Sequence, residues 1–155
     1  MKTTKAPKLD IRSMVGTSIG HFLPWLAVVL LITWSGYPGV VCITPMAWLL
    51  ALSTGTVCSL HSRSQKSSTR LLEAALAGGI LGLFHGILFM VIVPVMGPIK
   101  PGEEASRMTL ILFMLLVGIL ISASLSLFSA VSAERRKKRE ANLRMYESIM
   151  RDMGM

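Results

Sequence analysis

LLEAALAGGILGLFHGILFMVIVPV, Leu71 to Val95, is the stretch that decides the fold. Its twenty-five residues contain one acid, Glu73, two positions from the start, and no Lys, Arg, Asn or Gln. As a helix rising about 1.5 Å per residue it is long enough to cross the roughly 30 Å hydrocarbon core of a bilayer. Three further stretches have the same character: Met14–Trp34, Val40–Leu60 and Met108–Val131. The expected fold is all-α, a polytopic membrane protein. Residues 1–133 form a domain of four transmembrane helices, and residues 134–155 form a basic, amphipathic tail ending in a short helix.

Charge orients the spans. Fourteen of the sixteen Lys and Arg residues fall on one side of a four-span threading. Lys2, Lys5, Lys8 and Arg12 precede the first span; Arg63, Lys66 and Arg70 separate the second and third; seven more follow the fourth. Lys100 and Arg107 alone lie on the other side. The positive-inside rule then places both termini in the cytoplasm, with the cell (inner) membrane as the expected location. The net charge of +8 is accounted for by these topology determinants, which also meet anionic lipid headgroups. It does not point to nucleic acid, because no segment is long enough to fold into a basic surface.

Around the spans, punctuation is clear. Residues 1–13 read as a short basic leader, without the small-residue cleavage site of a signal peptide. Pro24 predicts a kink near Gly20 in the first span. Trp34 and Tyr37 suit an outer aromatic belt, and residues 35–39 have turn composition. His61 to Arg70 is a Ser-rich loop; Pro94, Gly97 and Pro98 end the third span. Cys42 and Cys58, about 24 Å apart along one helix, are too distant to bond and read as small apolar fillers.

Small residues recur at every fourth position in three spans: Ala47, Ala51, Gly55 and Ser59; Ala74, Gly78, Gly82 and Gly86; Gly118, Ser122, Ser126 and Ala130. Apolar helices gain nothing hydrophobic by leaving lipid for one another, so association depends on close backbone approach, which such ladders permit. The ladders serve packing within the bundle, contact with a second protein, or both. Ser122, Ser126 and Ser129 add hydroxyls that reach a neighbouring helix or their own. Gly82 is expected to tolerate Leu poorly, with Leu88 as a lipid-facing comparison.

Few residues invite chemistry. Glu73, near the span's start, is expected to cap that helix and pair with Arg70, three residues earlier. His85 lies about 21 Å along the third helix, within the hydrocarbon, and His21 is immersed in the first. Two buried histidines on different helices permit haem or chlorophyll ligation; the plainer reading is a neutral ring bonded to a neighbouring helix. No metal-ligand spacing, nucleophile–base pair, Cys-x-x-Cys or phosphate loop occurs, so no catalytic residue and no enzyme activity is expected.

Three functions compete. The first is a non-catalytic accessory or assembly subunit of a larger membrane complex, touching lipid, other integral subunits or further copies of itself. The second is a small oligomeric transporter or channel subunit, disfavoured by spans that lack Asp, Asn, Gln, Lys and Arg. The third is a tetrapyrrole protein using His85 and His21. In the tail, Arg135, Arg136, Lys137, Lys138 and Arg139 meet headgroups at the membrane surface. Beyond them Leu143, Tyr146, Ile149, Met150 and Met153 form an apolar face that suits lipid or a partner's groove.

Overall fold

The computed structural model describes residues 9–34, 40–64, 66–92 and 104–153, all but a few of them helical. Of the side chains in these helices, those at 33, 40–45, 89, 91–92, 104–107, 110 and 114 lie outside the description. Residues 1–8 of the leader, the 35–39 turn with Tyr37, the Cys42 side chain, Pro94 to Pro98, and Lys100 likewise fall outside it, whereas leader residues 11–13 belong to α1. Four helices follow in order: α1 (Ile11–Trp34), α2 (Val40–His61), α3 (Ser67–Ile92) and α4 (Glu104–Asp152). No strand occurs among the described residues.

Three helices contain segments long and apolar enough to cross a membrane: Ile11–Ile32, Ser67–Leu88, and the part of α4 beginning at Ile111. In α2, which runs 22 residues, the apolar stretch among the described side chains is Met46–His61. α1 continues as one helix through Pro24, whose missing N–H leaves the Gly20 carbonyl without its usual donor. α3 starts four residues before the expected span, at Ser67, which shortens the Ser-rich connection. α4 departs most from expectation. It runs 49 residues without interruption, so the tail is the continuation of the last span and not a separate short helix. Between Ile119 and Met153 there is neither Gly nor Pro; Ser is the commonest residue, with six, and the strong helix formers Ala, Glu, Arg, Lys, Leu and Met together supply 21 of the 35. Nothing in that composition ends a helix.

Burial is inverted relative to a water-soluble bundle. Leu23, Leu30, Leu31, Leu49, Ile87, Leu112, Phe113, Leu116, Leu120 and Phe128 are exposed, as suits a surface facing lipid. Ser18, Thr54, Ser59, Glu73 and Ser126 are fully buried together with Ala51, Ala74 and Ala77. The interior is therefore built mostly of small residues, many of them polar, with Met14, Trp25, Val29 and Leu81 the larger apolar exceptions.

The ladders pack the bundle against itself. α3 makes its most extensive contact with α4, and α2 also lies on α4. A Cβ at Gly55 would collide with the Ser126 backbone and the Ser129 hydroxyl; one at Gly78 would lie 2.5 Å from Ser122 O. At Gly82 it would lie 2.8 Å from both Gly118 O and Ile119 Cα. Gly86 approaches the flexible end of Leu115, at 2.9 Å from Cδ1. Gly118 differs from its ladder neighbours: a Cβ there meets nothing within 4 Å, so its backbone, not its missing side chain, makes the contact. Ala47 turns toward α1, in a cluster with Trp25 and Val29. Leu88 packs against that same cluster, so it is not the lipid-facing position expected from sequence.

Two hydroxyls stitch α3 to its flanks. Ser126 Oγ donates to Ala74 O at 2.6 Å, from α4 to α3. Ser18 Oγ lies 2.8 Å from both Met14 O in its own helix and Ala77 O in α3. Ser129, by contrast, bonds its own helix at Ser126 O, 2.9 Å away.

Candidate functional site

The polar groups of the described residues concentrate at one end, where α1 begins, α2 meets α3, and α4 leaves its apolar stretch. Asp10 caps α1: its Oδ1 accepts from Ser13 N–H at 3.1 Å, the ordinary role of an Asp just before a helix. The backbone N–H of Asp10 then donates to Glu73 Oε1 at 2.8 Å. Ser62, just after α2, donates its hydroxyl to the other oxygen of Glu73. Glu73 thereby ties the start of α1 and the end of α2 to the second turn of α3, wholly out of solvent. A buried carboxylate is tolerated where such donors replace water.

Arg70 does not pair with Glu73 as the three-residue spacing suggests. It reaches Glu134 on α4 through a two-pronged contact, Nε to Oε1 at 2.7 Å and Nη2 to Oε2 at 3.0 Å. Its Nη1 donates to Ser64 O at 2.9 Å. The reason is directional: Glu73 faces inward and is already satisfied by Asp10 and Ser62, whereas Glu134 lies beside the first turn of α3. The guanidinium holds the Glu134 carboxyl below its ordinary range. Beyond this clasp, Arg135 to Arg139 are exposed, and so are Leu143, Tyr146, Ile149 and Met153 on α4. Met150 is half-buried.

The histidines have separate surroundings. His85 lies edge-on to buried Trp25, ring centroids 4.1 Å apart and planes at 87°. Phe22 lies 5.9 Å from the His85 ring and 5.1 Å from Phe84, completing an aromatic layer between α1 and α3. Neither His85 ring nitrogen nor Trp25 Nε1 meets a hydrogen-bond partner of good geometry. His21 instead lines a groove between α1 and α2, its Nδ1 at 2.8 Å from Thr17 O. Among the described residues no three of His, Cys, Asp and Glu are grouped to hold a metal ion.

Sequence reasoning missed Asp10, Ser18, Ser62 and Glu134 as organising residues. Asp10 was findable, since an Asp directly before an apolar helix with a small polar residue three places on is a capping signal. Glu134 was not, because its partner is 64 residues away. Compared with known protein families, curated proteins and solved structures, the chain matched none.

Proposed function

We propose that this chain is a non-catalytic accessory or assembly subunit of a membrane complex. In this reading it crosses the membrane four times with both termini cytoplasmic, and it presents the α4 extension to a partner. The observation that carries the reading is the division of labour along α4. Its first half is committed inside the bundle, where the ladders of α2 and α3 close on it. Its second half leaves with an apolar face uncovered: Leu143, Tyr146, Ile149 and Met153. Because the ladders are taken up internally, this extension and not a ladder is the surface assigned to a subunit contact. Tyr146 is the only aromatic on that face, which favours a protein groove over deep insertion into lipid.

The orientation is supported by charge alone. In a variant lacking Cys42 and Cys58, single cysteines at Ser64, Glu103 and Ser148 should be labelled from outside only at position 103. External labelling at 64 would overturn the topology. For the function, deletion of 141–155 should leave insertion intact while native-membrane partners are lost in mild detergent, in high as in low salt. Retention of every partner after that deletion would sink the docking role.

A further inference from the structure

At the charged end α1 and α2, which pack together, leave an open groove of about 500 Å³ walled by Arg12, His21, His61 and Arg63 together with Asp10. Gly16 and Gly20 also line it, and a Cβ at either would meet no atom within 4 Å. The groove therefore owes its width to residues that packing does not require to be glycine.

We propose that this groove binds a phosphoglycerol group, as the headgroup of an anionic phospholipid. Arg12 and Arg63 are exposed, and neither joins an ion pair among the described residues, where Arg70–Glu134 is the one salt bridge. Two guanidiniums beside one cavity suit a phosphate, whose oxygens accept their forked N–H groups. The remaining groups suit hydroxyls. Nδ1 of His21 lies 2.8 Å from Thr17 O, and Nδ1 of His61 lies 3.0 Å from Val57 O. A carbonyl only accepts, so each ring donates its Nδ1–H there and leaves Nε2 for another partner. Asp10, whose carboxylate already accepts from Ser13 N–H and, at 3.5 Å, from Arg63 N–H, repels a bare phosphate but accepts from a hydroxyl. Phosphate with adjacent hydroxyls satisfies both halves. Arg12 and His21 are nine residues apart, so the groove descends about 13 Å along α1, leaving room for the start of an acyl chain over Gly16 and Gly20. A soluble phosphoglycerol ester shares the headgroup chemistry but leaves that deeper part empty.

Native mass spectrometry of the full-length protein in mild detergent tests this. The protein is titrated with phosphatidylglycerol, phosphatidic acid, phosphatidylcholine and sn-glycerol 3-phosphate. Phosphatidylglycerol is expected to be retained at least tenfold better than each of the others. Arg135–Arg139 attract any anionic headgroup, so the decisive signal is what two groove variants lose. Arg12→Gln/Arg63→Gln should bring phosphatidylglycerol down to the retention of phosphatidic acid, the level that Arg135–Arg139 give any anionic headgroup. Gly20→Leu should abolish retention while leaving the lipid-free melting temperature unchanged or raised, since the Cβ it adds meets no protein atom within 4 Å and leucine favours the helix. Equal retention of phosphatidylglycerol and phosphatidylcholine overturns the site, as does undiminished retention in the double arginine variant. Phosphatidic acid binding as well as phosphatidylglycerol overturns the role of the hydroxyls. Glycerol 3-phosphate binding as tightly as the lipid overturns the lipid as source.

Discussion

The hydroxyl of Ser126 donates to the carbonyl oxygen of Ala74 across 2.6 Å, joining α4 to α3 at the level where the ladders are tightest. The Ser126 side chain, with the Ser122 carbonyl, also excludes any side chain at Gly78. The bond and the close approach depend on each other, since Ser126 reaches Ala74 only because Gly78 lets α4 come near. A comparable hydroxyl, Ser18, reaches Ala77 from α1, so α3 accepts from both sides.

Ser126→Ala should cost little on its own. Hydrogen bonds between membrane helices contribute about 0.6 kcal/mol on average and about 1.7 at most. Ser126→Leu should be far worse, because the added volume has no space beside Gly55 and Gly78. Thermal unfolding in detergent separates the two. Equal losses would mean that the hydroxyl, not the close approach, is what matters.

Gly78 and Gly79 provide a control one residue apart. A Cβ at Gly79 finds its nearest neighbour, Ile119 Cγ2, at 3.9 Å, whereas at Gly78 it strikes Ser126 and Ser122. Gly79→Ala should be neutral or stabilising, by up to about 1 kcal/mol from helix propensity. Gly78→Ala should destabilise by about 1–3 kcal/mol through overpacking. The melting temperatures of the two variants should move in opposite directions; parallel shifts would show that propensity outweighs packing here.

Gly82→Leu extends the same test to a larger side chain. Gly118 O and Ile119 Cα stand in its way, so α3 and α4 must separate. The comparison position is Ile87, which is exposed on α3. Ile87→Ala should leave the melting temperature nearly unchanged while Gly82→Leu lowers it strongly, and similar values for both would make the ladder incidental.

The Arg70–Glu134 clasp gives stability a pH dependence of definite sign. The folded-state pKa of Glu134 lies below its ordinary value, so its contribution is complete above the ordinary carboxylate range. It declines as pH falls through that range toward the lowered value and is absent below it. Glu134→Gln should cost about 1.5–3 kcal/mol at neutral pH, the range for hydrogen bonds to charged groups. The difference between wild type and variant should narrow on acidification. A gap that is constant from neutral to acidic pH would exclude the ionic origin.

Periodicity made much of this architecture legible. Apolar runs located the helices, and four-residue spacing found the faces that meet, because both are properties of one helix read alone. What was not legible depends on which helices become neighbours. Arg70 had a plausible acid three residues away, and nothing local shows that Glu73 turns inward to Asp10 and Ser62. Gly78 and Gly79 look alike in sequence and differ only in what lies opposite. Gly118 sits in register with its ladder yet contributes backbone alone. The groove between α1 and α2 depends on two glycines that fill no contact, and their spacing on α1 carries no sign of a cavity.

Since no glycine or proline interrupts α4 from Ile119 to Met153, the helix behaves as a stiff rod anchored along one half. The nineteen residues from Glu134 to Asp152 extend about 28 Å, so a tilt of roughly 10° at the level of Glu134 carries the far tip about 5 Å sideways. Any change in the angle at which the anchored half lies therefore arrives magnified at Tyr146 and Met153. Arg70 grips the rod at its fulcrum.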